Sequence, residues 1–574
     1  MLAIPQITLE DYAKYPHRMG DVLAKWAKET PDKKAIINFD TKKEVTWKEF
    51  DQTATVIAMA LINQLGLKKG DFIATSLPLL TEHVYLMYAC YKIGVVIAPL
   101  DLRLKPPEVI RCLGLIQAKA YFHLGKTEVA DFGALAQAVM KNCPFIEHFI
   151  QLGTPDQVVV EGSKSVWEIM GRAKTDAEEA MKAGPASSEL LQKYGKMAAE
   201  VNEDDGCLVI FTTGTTGFPK PALLSHKNIT SQNLCLGMGF DINKDDTMLV
   251  NLPPSHVGCT TEQLATPLFF GGTVVMLHIF DPAKSLQAIQ DYKVTAFGQI
   301  PALFAMEWRL PNYNDYDLSS LKFALYGGQS VTKPFLEKLS TMAPSFGTGL
   351  GLTEVAGFSS YSPLDGTVDD ILASVGFDMP ITPLTIRKPM NDDGTAGDML
   401  PDGETGEVCY TGPQVFLGYV GNEEATKKTI SSDGVLYTGD LGFKDDKGLH
   451  LVGRSKLVIK PKGYQVYPPE VENFIADGMK DKVASVGLVG QKHDVFTEAI
   501  VAFVEKKPNV DLTADEVLAH CKGLAAYKRP SLVIILEPTT MPLNRVAKTD
   551  YQVLKNMAAE AVEKERAAGR WDKA

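Results

Sequence analysis

An apolar run, Leu208-Val-Ile-Phe, leads into Thr212-Thr213-Gly214-Thr215-Thr216-Gly217-Phe-Pro-Lys220. Glycines let backbone N–H groups turn toward an anion, hydroxyls add donors, and a lysine supplies the opposite charge, so this composition suits a phosphate. It is not a Walker A loop: Lys220 lies three residues after Gly217 and precedes Pro221. Elsewhere, Thr353-Glu354 sets a hydroxyl beside a carboxylate, the hard oxygen ligands that magnesium prefers. Asp440 follows a strand-like Val435-Leu-Tyr and Gly439, and reads as a turn residue whose carboxylate is able to accept bonds from two hydroxyls. The eight cysteines are scattered with no CxxC pair, which argues against a zinc site or a disulfide framework and leaves buried reduced thiols.

These groups need elements to position them. Between residues 52 and 206, helical and strand periods alternate, with helices predicted over 53–65, 84–92 and 106–115 and strands over 72–77 and 95–99. That alternation predicts an α/β fold with a mostly parallel sheet. Residues 161–201 are polar, Ala-rich and helical in pattern, a surface excursion without chemistry of its own. A second rhythm begins after Gly453: strands over 483–489, 499–504 and 532–536, and a capping box at Thr513 and Glu516 ahead of a helix to about Lys522. This is an α+β module the size of a small domain. No internal repeat is present.

The chain has 574 residues, 45% hydrophobic, with a net charge of −12. Disordered, collagenous and coiled-coil classes are excluded, and no basic cluster argues for nucleic acid. An acidic protein with an acidic ligand must hold it with a few placed groups. The first residues lack the order of a signal peptide and no apolar run approaches the roughly 20 residues of a membrane span, so a cytoplasmic protein is expected. A homodimer is compatible with the sequence.

The Thr212–Lys220 segment resembles the phosphate loop of the adenylate-forming superfamily, in its acyl-CoA synthetase branch. Six further segments resemble that family's signatures in order: Leu252-Pro-Pro-Ser-His256, Tyr326-Gly327-Gly328-Gln329, Gly349-Leu350-Gly351-Leu-Thr353-Glu354, Tyr437-Thr-Gly-Asp440, the hinge run from Gly453-Arg454-Ser-Lys456 through Lys460-Pro-Lys-Gly463-Tyr464-Gln465 to Glu472, and Pro542-Leu-Asn-Arg-Val-Ala-Lys548. The resemblance implies a large N-terminal α/β domain of several subdomains over residues 1–453, a hinge at 454–457, and a small mobile α+β domain over 458–574 carrying the catalytic lysine.

It also implies roles. Lys548 offsets charge as a carboxylate attacks the α-phosphate of ATP. Thr353 contacts that phosphate, and Glu354, with Thr216, holds Mg²⁺. Gly327, Gly328, Gln329 and the stretch Gly349–Gly351 lie along the adenine, and Asp440 with Arg454 holds the ribose. His256 gates the acid pocket. Rotation about Lys456 brings Lys460, Gly463, Tyr464 and Gln465 to the site for coenzyme A. Departures are Leu350 where the family places an aromatic residue, Pro221 and Ala547 where it places glycine, and Leu457 at a position often acidic. The implied activity is acid + ATP → acyl-AMP + pyrophosphate, then acyl-CoA + AMP. The mostly apolar pocket, with no acidic group to pair an amine, points to a medium-length aliphatic or aromatic monocarboxylate, such as a fatty acid. The alternatives are transfer of the acyl-adenylate to an acceptor other than coenzyme A, and a non-catalytic nucleotide-binding paralogue.

Overall fold

The computed structural model describes residues 4–127, 130–154, 156–212, 219–544 and 548–572. Two mostly parallel sheets organise a large α/β domain. In the first, the spatial order is Ser345–Gly347, Phe323–Tyr326, Ala296–Gln299, Thr247–Val250, Thr273–Met276, Lys34–Asn38 and Glu44–Thr46. All its pairings are parallel except the last. Thr273–Met276 and Phe323–Tyr326 are buried along their whole length, as strands covered by helices on both faces are.

The second sheet runs Gly418–Tyr419, Lys220–Ser225, Gly206–Thr212, Val96–Pro99, Phe72–Ser76, Ala120–Leu124, His148–Leu152 and Lys164–Ser165. It is parallel except at the edge holding Lys220–Ser225 and Gly418–Tyr419. The predicted helices appear as Trp47–Asn63, Thr81–Ile93 and Pro106–Ile116; the first starts earlier than predicted but stops before Leu65, and the other two reach beyond their apolar stripes. Thr46 explains one early start: its hydroxyl caps Glu49 N while the Glu49 carboxylate returns a bond to Thr46 N. The excursion forms two helices, Val166–Ala183 and Glu189–Glu200, packed on Trp47–Asn63.

A four-stranded antiparallel sheet follows: Leu384–Arg387, Gly406–Tyr410, Leu436–Asp445 and Gly448–Arg454. Here one expectation is corrected. Asp440 lies inside the Leu436–Asp445 strand rather than in a turn after it. Gly439, at φ +76, makes an irregularity that side chains bridge. The Thr438 hydroxyl donates to the Val408 carbonyl at 2.8 Å, and Gly439 N donates to the Glu407 carboxylate at 2.9 Å.

The small C-terminal α+β domain is built on Val483–His493 paired antiparallel to Thr497–Lys506, with Leu532–Leu536 parallel to the latter. The hairpin outruns both predicted strands because main-chain pairing continues through polar Gln491, Lys492 and Glu498. Thr513 and Glu516 form the expected capping box, but the helix Ala514–His520 gives way to a 3₁₀ turn, Cys521–Gly523. Between the domains, Ser455–Leu457 form a single 3₁₀ turn. All eight cysteines are buried, and no helix among the described residues is long and apolar enough to cross a membrane.

Candidate active site

Neighbouring parallel strands of the first sheet deliver their carboxyl ends to one edge, the place where open α/β sheets bind ligands. Thr247–Val250 leads to His256, Ala296–Gln299 to Ile300, Phe323–Tyr326 to Gly327, Gly328 and Gln329, and Ser345–Gly347 to Gly349, Leu350 and Gly351. The Thr348 hydroxyl donates to the Tyr326 carbonyl at 2.9 Å and ties two of these loops together. Gln329 is exposed. Leu350 is buried in the main core; its N–H donates to the Ser360 hydroxyl at 2.9 Å and its carbonyl accepts from Ser359 N at 2.8 Å.

At Gly349 a Cβ would stand 2.0 Å from the Ser360 carbonyl oxygen, so the backbones approach too closely for any side chain. Gly349→Ala is expected to destabilise the protein by about 1–3 kcal/mol through overpacking. Calorimetry would show this as a lowered melting temperature.

Lys548 reaches this edge from the C-terminal domain. Its Cε lies 3.5 Å from where a Cβ of Gly328 would stand, and Gly328 adopts φ +92, a conformation open to glycine. A short antiparallel bridge, Leu543 to Thr549, presents the lysine: Asn544 N donates to the Lys548 carbonyl at 2.7 Å, and Lys548 N donates to the Asn544 side chain at 3.1 Å. Asp440 pairs with Arg454 across adjacent strands, with Oδ1 at 2.7 Å from the Arg454 Nε. Its other oxygen is buried without a hydrogen-bond partner. Burial raises the Asp440 carboxyl, while Arg454 and Lys548 pull the other way. Lys548 is depressed by burial and by Arg454, with Asp440 opposing.

A second cluster flanks the first. Lys220 opens its strand opposite Thr212, so residues 212 and 220 close the two ends of the phosphate-loop segment. Its Nζ lies 4.9 Å from the centre of the Tyr419 ring, and the Tyr419 hydroxyl donates to Glu354 Oε1 at 2.6 Å. Lys220 is depressed by burial and by Lys456, while Glu354 raises it. Thr353 and Glu354 stand on a 3₁₀ turn between two short strands. His256 is pushed down to about 4 by burial and by Lys548, and its Nδ1 accepts from Gly258 N at 3.0 Å. It is therefore neutral near pH 7, with the ring proton on Nε2.

A family model described as AMP-binding enzyme matches residues 23–420, and one described as AMP-binding enzyme C-terminal domain matches residues 470–548. The chain belongs to the AMP-binding enzyme family. The 4-coumarate–CoA ligase CCL1 of Humulus lupulus is 27% identical over 540 residues, covering 91% of both chains. The feruloyl-CoA synthase of an Amycolatopsis species is 28% identical over 501 residues, covering 86% of this chain and 91% of that one. In fold, the ATP-bound MatB from Rhodopseudomonas palustris superposes with a TM-score of 0.73 at 23% identity, covering 94% of this chain and 98% of that one.

In this AMP-binding enzyme the residues expected to serve coenzyme A face solvent. Lys460, Gly463, Tyr464 and Gln465 are all exposed. Tyr464 stacks on Tyr527 at 4.5 Å between ring centres, Lys460 N donates to Glu498 at 2.6 Å, and Gln465 accepts from the Tyr467 hydroxyl at 2.8 Å. Thr213, Gly214, Thr215, Thr216 and Gly217 fall outside the described residues, and with them the expectation that Thr216 ligates magnesium; so does Ala547.

Several residues escaped the sequence reading. Tyr419, the partner of Glu354, comes from a two-residue edge strand with no local signature. The Phe358 ring packs against Gly327, Gly349 and Gly351, within 2.8, 3.2 and 3.0 Å of their Cβ positions. Glu262 stands on a π-helix, Gly258–Ala265, where burial pushes its carboxyl up to about 7 against a backbone bond from Phe358. A weak signal existed: Glu262 is the one carboxylate in the otherwise uncharged run from Asn251 to Phe270.

Proposed function

We propose that the chain is an ATP-dependent acyl-CoA synthetase that activates a monocarboxylate. The observation that carries this reading is the meeting of Lys548, from the C-terminal domain, with Asp440, Arg454 and Gly328 at the carboxyl edge of the parallel sheet. The orphaned, buried Asp440 oxygen suits a ribose hydroxyl, which would donate to it. Lys220 offers its charge to the leaving pyrophosphate, and its depressed basicity would be restored by that anion. Glu354 fits magnesium as a single carboxylate beside substrate phosphates, since that ion shares oxygens with its substrate and keeps water ligands. Bound there, the metal would neutralise charge on the phosphates.

Catalysis divides between two arrangements of the domains 1–453 and 458–574. In the first, the Lys548 ammonium meets the charge that builds as the acid's carboxylate attacks the α-phosphate, giving acyl-AMP and pyrophosphate. Neutral His256 borders the acid without adding charge. In the second, the C-terminal domain turns about 454–457, withdrawing Lys548 and presenting Lys460, Gly463, Tyr464 and Gln465 to coenzyme A, whose thiol displaces AMP. The single turn Ser455–Leu457 is short enough to serve as that hinge.

The test is pyrophosphate release over acids of graded chain length and aromaticity, with AMP and thioester measured with and without coenzyme A. Acid-dependent pyrophosphate, with AMP released only when coenzyme A is supplied, is expected. AMP release that ignores coenzyme A would redirect the reading to another acceptor.

A further inference from the structure

Lys548 is carried by two short segments, 540–544 and 548–551, that close on each other. Asn544 N donates to the Lys548 carbonyl at 2.7 Å and Asp550 N donates to the Pro542 carbonyl at 2.9 Å, two rungs of a small ladder. The rungs fix the segments to one another; other contacts must fix them to the domain. Part of that seating is apolar. The ladder rests on the strand Val483–His493 at Gly487, where a Cβ would stand 2.5 Å from Leu554 Cδ1, 3.3 Å from Thr549 Cγ2 and 3.8 Å from Met541 Sδ. Apolar contact of this kind holds the ladder down but has no direction of its own.

Two carboxylates supply the direction, one at each end. Glu505, buried on the strand Thr497–Lys506, accepts from Thr540 N at 2.9 Å and Met541 N at 3.3 Å through Oε1, and from the Ser485 hydroxyl at 2.7 Å through Oε2. Glu472, on the helix Pro468–Gly478, accepts from Leu488 N at 2.8 Å through Oε1. It also accepts from the Tyr551 hydroxyl, at 2.9 Å to Oε1 and 3.1 Å to Oε2. Tyr551 opens the helix Tyr551–Ala567 directly after the ladder. Burial pushes the Glu472 carboxyl up to about 7, while the Leu488 N–H and the Tyr551 hydroxyl hold it down. Hydrogen bonds to an ionised acceptor are the strong, directional ones, so each carboxylate pins one end of the ladder to the sheet beneath it.

Resting on the acyl-CoA synthetase reading, we propose that Glu505 and the Glu472–Tyr551 pair are positioning residues for adenylation, which anchor the two ends of the ladder bearing Lys548 and thereby set where its ammonium stands. They act through Lys548 alone. That ammonium meets charge that builds only in the transition state, and a misplacement of about 1 Å at such a group costs up to about a hundredfold. Supporting hydrogen bonds behind a catalytic group are what hold it to that tolerance. The second half-reaction, for which Lys548 is withdrawn, is indifferent to the anchors.

The experiment measures the two half-reactions separately in Tyr551→Phe, which removes one hydroxyl and keeps the ring, and in Glu505→Leu. In each, the adenylation rate is expected to fall by about tenfold to a hundredfold with KM for ATP and for the acid near native, since only a transition-state contact is weakened. Thioester formation from supplied acyl-adenylate is expected to stay close to the native rate. Glu505→Gln, whose amide oxygen still accepts from Thr540 and Met541, is expected to keep most of the native adenylation rate. Amide hydrogen exchange gives a readout apart from activity: 540–544 and 548–551 should exchange faster in Tyr551→Phe and Glu505→Leu, while the hairpin of Val483–His493 with Thr497–Lys506 keeps its protection. Equal loss in both half-reactions, or lost protection across the hairpin in Tyr551→Phe, would make these groups structural and overturn the proposal. A native adenylation rate in either variant overturns it too. Absence of acid-dependent pyrophosphate release by the native protein would overturn the synthetase reading and this inference with it, whereas native adenylation that the variants leave untouched overturns this inference alone.

Discussion

Replacing Lys548 with alanine should slow adenylation by about 100- to 1,000-fold, the usual consequence of deleting one preorganised group that meets transition-state charge. The second half-reaction, from supplied acyl-adenylate and coenzyme A, should run close to the native rate. The asymmetry follows from the placement of Lys548 against Gly328 and near Asp440, while Lys460, Gly463 and Gln465 stay exposed to solvent. Pyrophosphate exchange for the first step and thioester formation for the second separate the two, and equal loss in both would contradict a rotating domain. Charge supplies a further check. Burial and Arg454 hold the Lys548 ammonium below its ordinary range, so the alkaline limb of adenylation should begin below the usual lysine pKa. Lys548→Arg, which stays protonated, should remove that limb even if it lowers the rate.

Asp440→Asn should raise the KM for ATP by about tenfold to a hundredfold, corresponding to the roughly 1.5–3 kcal/mol of hydrogen bonds to a charged group. It removes the anion paired with Arg454 and the carboxylate character of the orphaned oxygen while keeping the side chain's shape. Stability should move the other way or stay level. Burial already raises the Asp440 carboxyl, so the native protein carries a desolvation cost there that an amide relieves, and the Arg454 side chain is half exposed and free to turn to water. A melting temperature that holds while ATP saturation weakens would mark a binding role. A fall in both would make Asp440 structural. Because Asp440 supports the Lys548 charge, the same variant should also move the alkaline limb of adenylation to lower pH.

Much of the frame was legible from residue order. Periodicity located the strands Phe72–Ser76 and Val96–Pro99 of the second sheet and the three helices around them, since a buried parallel strand reads as a largely apolar run. Thr513 and Glu516 announced their helix because a capping box is complete within four residues. Thr212 and Lys220 were recognisable as the ends of one loop, and the order of motifs pointed to the family. These are local properties, or spacings along the chain.

What periodicity and motif order left undecided is which distant residues meet. Lys548 and Gly328 are far apart in sequence, and only the docking of the C-terminal domain joins them. Asp440 read as a turn because a Gly before an Asp is usually one; the Glu407 and Thr438 side chains carry the strand through instead. Leu350 stood where a stacking aromatic was expected, and the fold buries it in the main core. Glu262 passed unnoticed because its raised carboxyl depends on burial and on the backbone of distant Phe358. Sequence by itself determined several of the elements, the order of the motifs and the family to which they belong, since hydrophobic period, caps and motif residues act over a few positions. The tertiary structure alone decided the charge environment of Lys548 and Asp440 and the burial of the Glu262 carboxyl, because burial and electrostatic pairing depend on neighbours brought together only when the chain is packed.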